Sequence, residues 1–123
     1  LLESPAASVV NVASVAALRG SACGTAYTTS KHALVGMTRS AAFFYGPRGV
    51  RFNLVAPGGV DTNIDVTTLS EWGAARVQEV ASAIAPPSAT TAQLAAPICW
   101  LLSRDSDNVC GTVLAADGGW SAI

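Results

Sequence analysis

The chain has 123 residues, of which 50% are hydrophobic and 12% charged, and its formal net charge is −1 at pH 7. This composition excludes an intrinsically disordered chain, which needs low hydrophobicity and high net charge, and the length allows one domain at most. The charge offers no basic surface for nucleic acid, and the apolar runs fall short of the roughly 20 residues that a membrane span requires. We therefore expect neither nucleic acid nor a membrane as a partner.

In the first half of the chain, a strand pattern, a helix pattern and a second strand pattern follow one another. Residues 8–13 form a β-branched run that predicts a buried strand. From about Thr25 to Tyr45 apolar residues recur at helical spacing, and Gly46-Pro47 is expected to end that helix. A second strand is predicted at residues 50–55, closed by Pro57-Gly58-Gly59.

The second half is less regular at first and then returns to the same alternation. One or two short helices are predicted within residues 67–85. Thr90 and Thr91 are candidate N-caps of a helix that runs to about Ser103, and a third strand is predicted at residues 112–116. The order of the elements favours parallel strands with crossover helices, which is an α/β fold.

The predicted sheet is not complete by itself. Its three strands are apolar on both faces, and parallel strands of that kind must be covered on both sides. The sequence offers about two long helices for this purpose, and three parallel strands leave two open edges. We interpret the chain as part of a larger sheet domain and expect the isolated chain to be prone to aggregation.

Cysteine and histidine are scarce and scattered along the chain. Cys23, Cys99 and Cys110 form no C-x-x-C pair, and His32 is the only histidine in the sequence. A Cys/His zinc site is therefore not expected. We interpret the cysteines as small core residues of a protein in a reducing compartment, which predicts a cytoplasmic location.

The segment with the most chemical content is Tyr27-Thr28-Thr29-Ser30-Lys31. Residues four apart share a helix face, so the phenol of Tyr27 and the ammonium of Lys31 are predicted to lie on the same side. A nearby cation favours a phenolate, which suits a tyrosine for general acid/base chemistry. Taken alone, the spacing also fits two helix residues that happen to lie one turn apart.

Other segments bring polar groups to the same end of the predicted sheet. Ser14 follows the first strand, and the loop Pro57-Gly58-Gly59-Val60-Asp61-Thr62 follows the second. Ligands of parallel α/β sheets bind outside the carboxyl ends of the strands, and glycine lets the backbone approach a flat ligand closely. Ser14, Tyr27 and Lys31 are therefore expected to meet the Pro-Gly loop at one edge.

Four linked segments resemble the classical short-chain dehydrogenase/reductase family. In chain order they are Asn11-Val12-Ala13-Ser14, Tyr27-Thr28-Thr29-Ser30-Lys31-His32-Ala33-Leu34-Val35-Gly36, Val50-Arg51-Phe52-Asn53-Leu54-Val55-Ala56-Pro57-Gly58 and Asp117-Gly118-Gly119. The resemblance implies the C-terminal part of a Rossmann-like doubly wound parallel sheet, from the fifth of the family's seven strands onward.

The resemblance also implies an activity, the transfer of a hydride between NAD(H) or NADP(H) and a carbonyl or alcohol substrate. Tyr27 would donate and accept the proton at the substrate oxygen and would also contact the cofactor. Lys31 would favour the phenolate form of Tyr27 and donate a hydrogen bond to the nicotinamide ribose. Ser14 would orient and polarise the substrate carbonyl. The residues expected to border the nicotinamide are Pro57, Gly58, Val60 and Thr62. Family members are commonly homodimers or homotetramers, so the parent protein is expected to be one as well.

The N-terminal half of the family pattern is absent from this sequence. No G-x-G-x-x-G occurs in the 123 residues, and the residues that distinguish NAD from NADP are missing, so both cofactors stay open. We expect one partial domain over residues 1–123, the catalytic and substrate-binding half. A non-catalytic fragment of such an enzyme is the alternative. A serine hydrolase is a third hypothesis, although no G-x-S-x-G is present.

A few further side chains carry expectations of their own. Asn53 is expected to tie down backbone, Trp100 to lie in the core, and His32 to lie on a helix surface. Trp72 and Leu69 follow the Pro-Gly loop, where they would either cover an apolar substrate or pack in the core.

Overall fold

The structure, a computed structural model, describes residues 1–64 and 70–122. Three strands form its sheet: β1 spans Ala7–Val12, β2 spans Val50–Pro57 and β3 spans Val113–Ala116. They lie in the order β1-β2-β3, and both neighbouring pairs are parallel. Val12 lies beside Val55 and Pro57 beside Ala116, so all three strands end at one edge of the sheet. We call this the carboxyl edge, and the opposite one the amino edge. The predicted α/β fold is confirmed, with strand bounds within two residues of those expected.

Three helices cover the sheet or extend beside it: α1 spans Thr25–Tyr45, α2 spans Glu71–Ile84 and α3 spans Thr91–Leu102. Thr90 is the N-cap of α3, because its hydroxyl accepts from the Gln93 amide at 3.2 Å while its own amide donates to Gln93 Oε1 at 2.8 Å. The predicted α1 and the Thr90 cap are confirmed. The part of the predicted 67–85 region that is described forms one helix, and Leu69 lies outside the described residues.

The core lies between β2 and the face of α1 that contacts it. Leu54, Val55 and Ala56 on β2 are completely buried, and Leu34 and Val35 of α1 pack against this core. The packed face of α1 also carries a polar link, since buried Thr38 accepts from Asn11 Nδ2 at 2.9 Å and donates to the Leu34 carbonyl at 2.7 Å. That link fixes the helix against β1.

Several apolar side chains lie outside the core. Trp100 is 42% exposed, which makes its predicted core position wrong. Since α3 packs against one layer only, it buries one face, on which Leu101 is completely covered. The expectation for the cysteines is also wrong for Cys99 and Cys110, which are exposed; Cys23 is partly buried. Trp72 is 80% exposed, so the core alternative for that residue is excluded in this structure.

Two side chains of β2 hold the loop between α3 and β3 at the amino edge. Buried Asn53 donates to the Val109 carbonyl at 2.8 Å and accepts from the Thr112 amide at 3.1 Å. The Arg51 guanidinium donates to the Ser103 carbonyl at 2.9 Å and to the Val109 carbonyl at 3.2 Å. The structural role expected for Asn53 is confirmed.

Within the described ranges 1–64 and 70–122, the structure contains no helix with both the length and the apolar character needed to cross a bilayer.

Candidate active site

Ser14 begins the tight turn that follows β1 at the carboxyl edge. Its Oγ accepts from the Ala16 amide at 3.1 Å, and its carbonyl accepts from the Ala17 amide at 2.8 Å, which closes a 3-10 turn over Val15–Ala17. The three residues of the turn are buried, while Ser14 itself is half-buried. In the bond to Ala16 the hydroxyl acts as acceptor, so its own proton remains available to donate to a ligand.

Tyr27 and Lys31 lie in the first two turns of α1, which begins beside the Ser14 turn. Lys31 Nζ lies 5.2 Å from the centre of the Tyr27 ring, within the range of a cation–π contact. Tyr27 is 44% exposed and Lys31 is half-buried. The predicted juxtaposition on one helix face is therefore present in the structure. His32 is exposed, with Nδ1 3.0 Å from the Thr28 carbonyl, as expected for a residue on the helix surface.

The loop after β2 is pinned by the segment that leads into α3. The Ala89 amide donates to the Gly59 carbonyl at 2.8 Å, and the Asp61 amide donates to the Ala89 carbonyl at 2.9 Å. Pro57 is buried as the last residue of β2, and Gly58 and Val60 are half-buried. Exposed Thr62 follows this pinned part and leaves its hydroxyl at the surface.

A second turn at the carboxyl edge follows β3 and is built around Asp117. Its carboxylate accepts from the Gly119 amide at 3.0 Å and from the Ser121 amide at 2.8 Å. Burial opposes the charged form, but the hydrogen bonds from Ser121 and Gly119 outweigh it and hold the pKa of Asp117 below its ordinary value of 3.8. The turn is therefore stabilised by an ionised, buried carboxylate.

Two cavities lie at opposite edges of the sheet. One of about 470 Å³ opens beside the end of β3, and its walls include Gly59, Ser88, Leu94, Ala115 and Asp117. The other, of about 280 Å³, lies at the amino edge and is bounded in part by Gly46, Arg51 and Leu102. In the described part of the chain, Ser14, Tyr27 and Lys31 line neither cavity. Of these three residues, Tyr27 is exposed, while Ser14 and Lys31 are half-buried.

The structure therefore brings the predicted groups to one edge by three routes: the Ser14 turn after β1, the start of α1, and the Pro57–Thr62 loop after β2. The sequence alone did not reveal the pairing of Gly59 and Asp61 with Ala89. It also assigned no contact to Arg19, whose guanidinium donates to the Ser121 carbonyl. The Asp-Gly-Gly triplet was a usable signal for the Asp117 turn, because aspartate commonly bonds backbone amides two residues on.

Parallel strands with a serine, a Tyr-x-x-x-Lys helix and a Pro-Gly loop at their carboxyl ends define a Rossmann-like α/β protein. Comparison with known proteins agrees with this class. The family model described as enoyl-(acyl carrier protein) reductase matches residues 1–121. The chain belongs to the short-chain dehydrogenase/reductase family.

Two curated relatives and one solved structure illustrate the match. The chain is 38% identical over 125 residues to the short chain dehydrogenase/reductase dpchG of Colletotrichum higginsianum, covering 97% of this chain and 46% of that protein. It is 39% identical over 116 residues to 3beta-hydroxysteroid dehydrogenase 2 of Eggerthella lenta, covering 93% and 44%. The crystal structure of a short chain dehydrogenase from Mycobacterium paratuberculosis bound to NAD superposes with a TM-score of 0.81 at 25% identity, covering 97% and 46%. The chain thus spans about half the length of the curated relatives it matches.

Proposed function

We propose that the chain is the catalytic and substrate-binding half of an oxidoreductase that transfers a hydride between NAD or NADP and a carbonyl or alcohol. The observation that carries this proposal is the Tyr27–Lys31 pair, with Nζ 5.2 Å from the ring centre. The pair lies at the carboxyl edge of parallel strands, which is where α/β sheets bind ligands. Family membership supports the same reaction class.

The roles of the three catalytic residues follow from their chemistry. In reduction, Tyr27 gives its phenolic proton to the substrate oxygen, and in oxidation it takes that proton back. The Lys31 cation stabilises the phenolate that remains. The Ser14 hydroxyl donates to the substrate oxygen and orients it, since its acceptor side already holds the Ala16 amide.

The chain's own groups fit the nicotinamide end of the cofactor. Lys31 offers three donors to ribose hydroxyls, the pinned loop from Pro57 to Val60 offers a fixed backbone, and exposed Thr62 offers a hydroxyl to the carboxamide. NAD or NADP, when bound, supplies or accepts the hydride. With no G-x-G-x-x-G in the 123 residues, the proposed contacts address this end of the cofactor alone.

The proposal extends to the assembly and location of the parent protein, which we expect to be a cytoplasmic homodimer or homotetramer. Free thiols at Cys23, Cys99 and Cys110 suit a reducing compartment.

The alternative function is a non-catalytic fragment that retains the motifs. The observation that favours it is that Ser14, Tyr27 and Lys31 line neither of the two cavities described above, and that Tyr27 is 44% exposed.

The first test is a titration of the purified chain with NADH and with NADPH, followed by nicotinamide fluorescence. Tyr27→Phe is measured in parallel, with Tyr45→Phe as the matched control, because Tyr45 lies at the other end of α1 and is similarly exposed. Saturable binding to wild type and to both variants would mean that this half folds alone and holds the nicotinamide end of the cofactor. With cyclohexanone or a 3-ketosteroid as oxidant, Tyr27→Phe is expected to lower kcat by about 10²- to 10⁴-fold, and Tyr45→Phe to leave it unchanged.

A second protein separates the two functions. In a chimera, residues 1–121 replace the matching segment of the Colletotrichum higginsianum relative and thereby receive that protein's N-terminal half. The isolated chain could fold without binding cofactor while the chimera turns over in a Tyr27-dependent way. This result would assign the chemistry to residues 1–121. The inactivity of the isolated chain would then be due to the absence of an N-terminal half. Equal turnover of the wild-type and Tyr27→Phe chimeras would overturn the proposed role of Tyr27.

A further inference from the structure

We infer that Arg19 is a positioning residue, which holds the Ser14 turn in place through a bridge to the C-terminal Asp117 turn. This inference rests on the proposed function of Ser14. Arg19 follows Leu18, the residue that ends the turn, and the Arg19 amide donates to the Val15 carbonyl at 3.0 Å. Its half-buried guanidinium donates from Nη2 to the carbonyl of Ser121, which lies 102 positions later in the chain.

The acceptor of this bond is itself held in place. The Ser121 amide donates to Asp117 Oδ2 at 2.8 Å, and the Gly119 amide donates to Oδ1 at 3.0 Å. Gly118 and Gly119 have φ values of +66° and +93°, which L side chains rarely adopt. Asp117 is only 7% exposed. The Ser121 carbonyl therefore points at Arg19 from a rigid turn rather than from a loose chain end.

The same Asp117 turn packs against the loop proposed to border the nicotinamide. A Cβ atom at Gly58 would lie 3.0 Å from the Cα of Asp117, so glycine leaves room for this close approach. The Gly58 amide also donates to the Ala116 carbonyl at 3.2 Å. A continuous series of contacts thus runs from the Ser14 turn through Arg19, Ser121 and Asp117 to Gly58.

This bridge joins the substrate-orienting serine to the loop proposed for the cofactor. A charged guanidinium makes a stronger hydrogen bond than a neutral donor, so one contact suffices to anchor the far end of a three-residue turn. A displacement of about 1 Å in a catalytic group costs on the order of 10²-fold in rate. The arginine therefore acts on chemistry through position, without contact with substrate.

The test uses Arg19→Ala, Arg19→Lys and Asp117→Asn in the full chain, with Arg48→Ala as control. Arg48 is an exposed arginine at the amino edge. Amide hydrogen exchange is read at Ala16 and Ala17, which donate to Ser14, and compared with Leu54, whose amide donates to the Thr112 carbonyl in the core. We expect Arg19→Ala and Asp117→Asn to speed exchange at Ala16 and Ala17 by about tenfold or more relative to Leu54.

The conservative variant and the kinetics distinguish positioning from general stability. Lysine also donates to a carbonyl, so Arg19→Lys is expected to restore most of the protection, and Arg48→Ala to match wild type. With cyclohexanone and NADPH or NADH, Arg19→Ala is expected to lower kcat by about tenfold or more while the KM for cofactor stays constant.

Wild-type exchange at Ala16 and Ala17 in Arg19→Ala would overturn the inference. So would an equal rise at Leu54, or a lysine variant as impaired as alanine. If the isolated wild-type chain shows no turnover, the kinetic comparison is made in the chimera with the N-terminal half of the Colletotrichum higginsianum relative, and the exchange measurement decides the role of Arg19 independently of the proposed function.

Discussion

The amino and carboxyl edges of the sheet use their polar side chains in opposite ways. At the amino edge, the side chains of Arg51 and Asn53 donate hydrogen bonds to carbonyls of the segment before β3. Ser106 Oγ donates to the Trp100 carbonyl at 2.8 Å. At the carboxyl edge, Tyr27 is 44% exposed and Thr62 is exposed. The difference teaches that the polar groups of one edge hold the fold together, while those of the other remain exposed at the surface.

The largest stability effect is expected from Asn53→Ala at the amino edge. The change leaves the Val109 carbonyl and the Thr112 amide without their partner in a buried site, which costs about 2–3 kcal/mol of unfolding free energy. Urea denaturation measures this loss. Asn108→Ala, an exposed asparagine of the same loop, is the control and is expected to change stability by less than about 0.5 kcal/mol. Similar losses for both variants would contradict the structural role of Asn53 at the amino edge.

Ser14→Ala tests the carboxyl edge by the same measurement, and it is expected to lower the unfolding free energy less than Asn53→Ala does. It removes one cap bond, to the Ala16 amide, which is worth about 1 kcal/mol. Its effect on turnover is expected to exceed its effect on stability, in contrast to Asn53→Ala. Ser21→Ala, in the exposed loop that follows, controls for loss of a serine hydroxyl. A Ser14→Ala protein with full activity would assign Ser14 to the fold rather than to the reaction.

Asp117 is the exception at the carboxyl edge, because its carboxylate is buried and satisfied. Since its pKa is lowered in the folded state, it binds protons less readily there than in the unfolded chain. Its contribution to stability is therefore present above the ordinary pKa and is lost as pH falls through the folded value. Urea midpoints between pH 7 and pH 2 should fall more steeply for wild type than for Asp117→Asn. Asp107→Asn, an exposed control, should follow wild type; a wild-type profile for Asp117→Asn would contradict the prediction.

The smallest effect is expected for an exposed ion pair on α2. Arg76 and Glu79 form an ion pair at 2.7 Å, with side chains 61% and 70% exposed. Exposed pairs of this kind contribute little because water and salt screen them. Glu79→Gln should lower stability by less than about 0.5 kcal/mol at low salt, with no difference at 1 M NaCl. A larger loss would mean that α2 contributes to the fold more than its exposure indicates.

Local signals predicted the elements well. The helix Thr25–Tyr45 and the Thr90 cap have the expected bounds, because helix ends depend on neighbouring residues such as Gly46-Pro47. Burial was predicted less well. Trp100 and Cys99 lie in an uncharged helix yet are exposed, because hydrophobicity does not reveal which helix face meets the sheet.

The candidate site also has features that the sequence predicted and features that only the folded structure shows. The order of the motifs and the helical spacing of Tyr27 and Lys31 were readable from the sequence, because they depend on local periodicity and on strands ending at a shared edge. The anchor of Arg19 on Ser121 and the pairing of Asp61 with Ala89 were not, because each joins segments that meet only after the chain has folded. By itself, the sequence determined the elements and the family, and it predicted the groups proposed to react. Tertiary packing alone decided which of these groups are held rigidly and which stay at the surface, since that depends on which loops lie against each other at the ends of the strands.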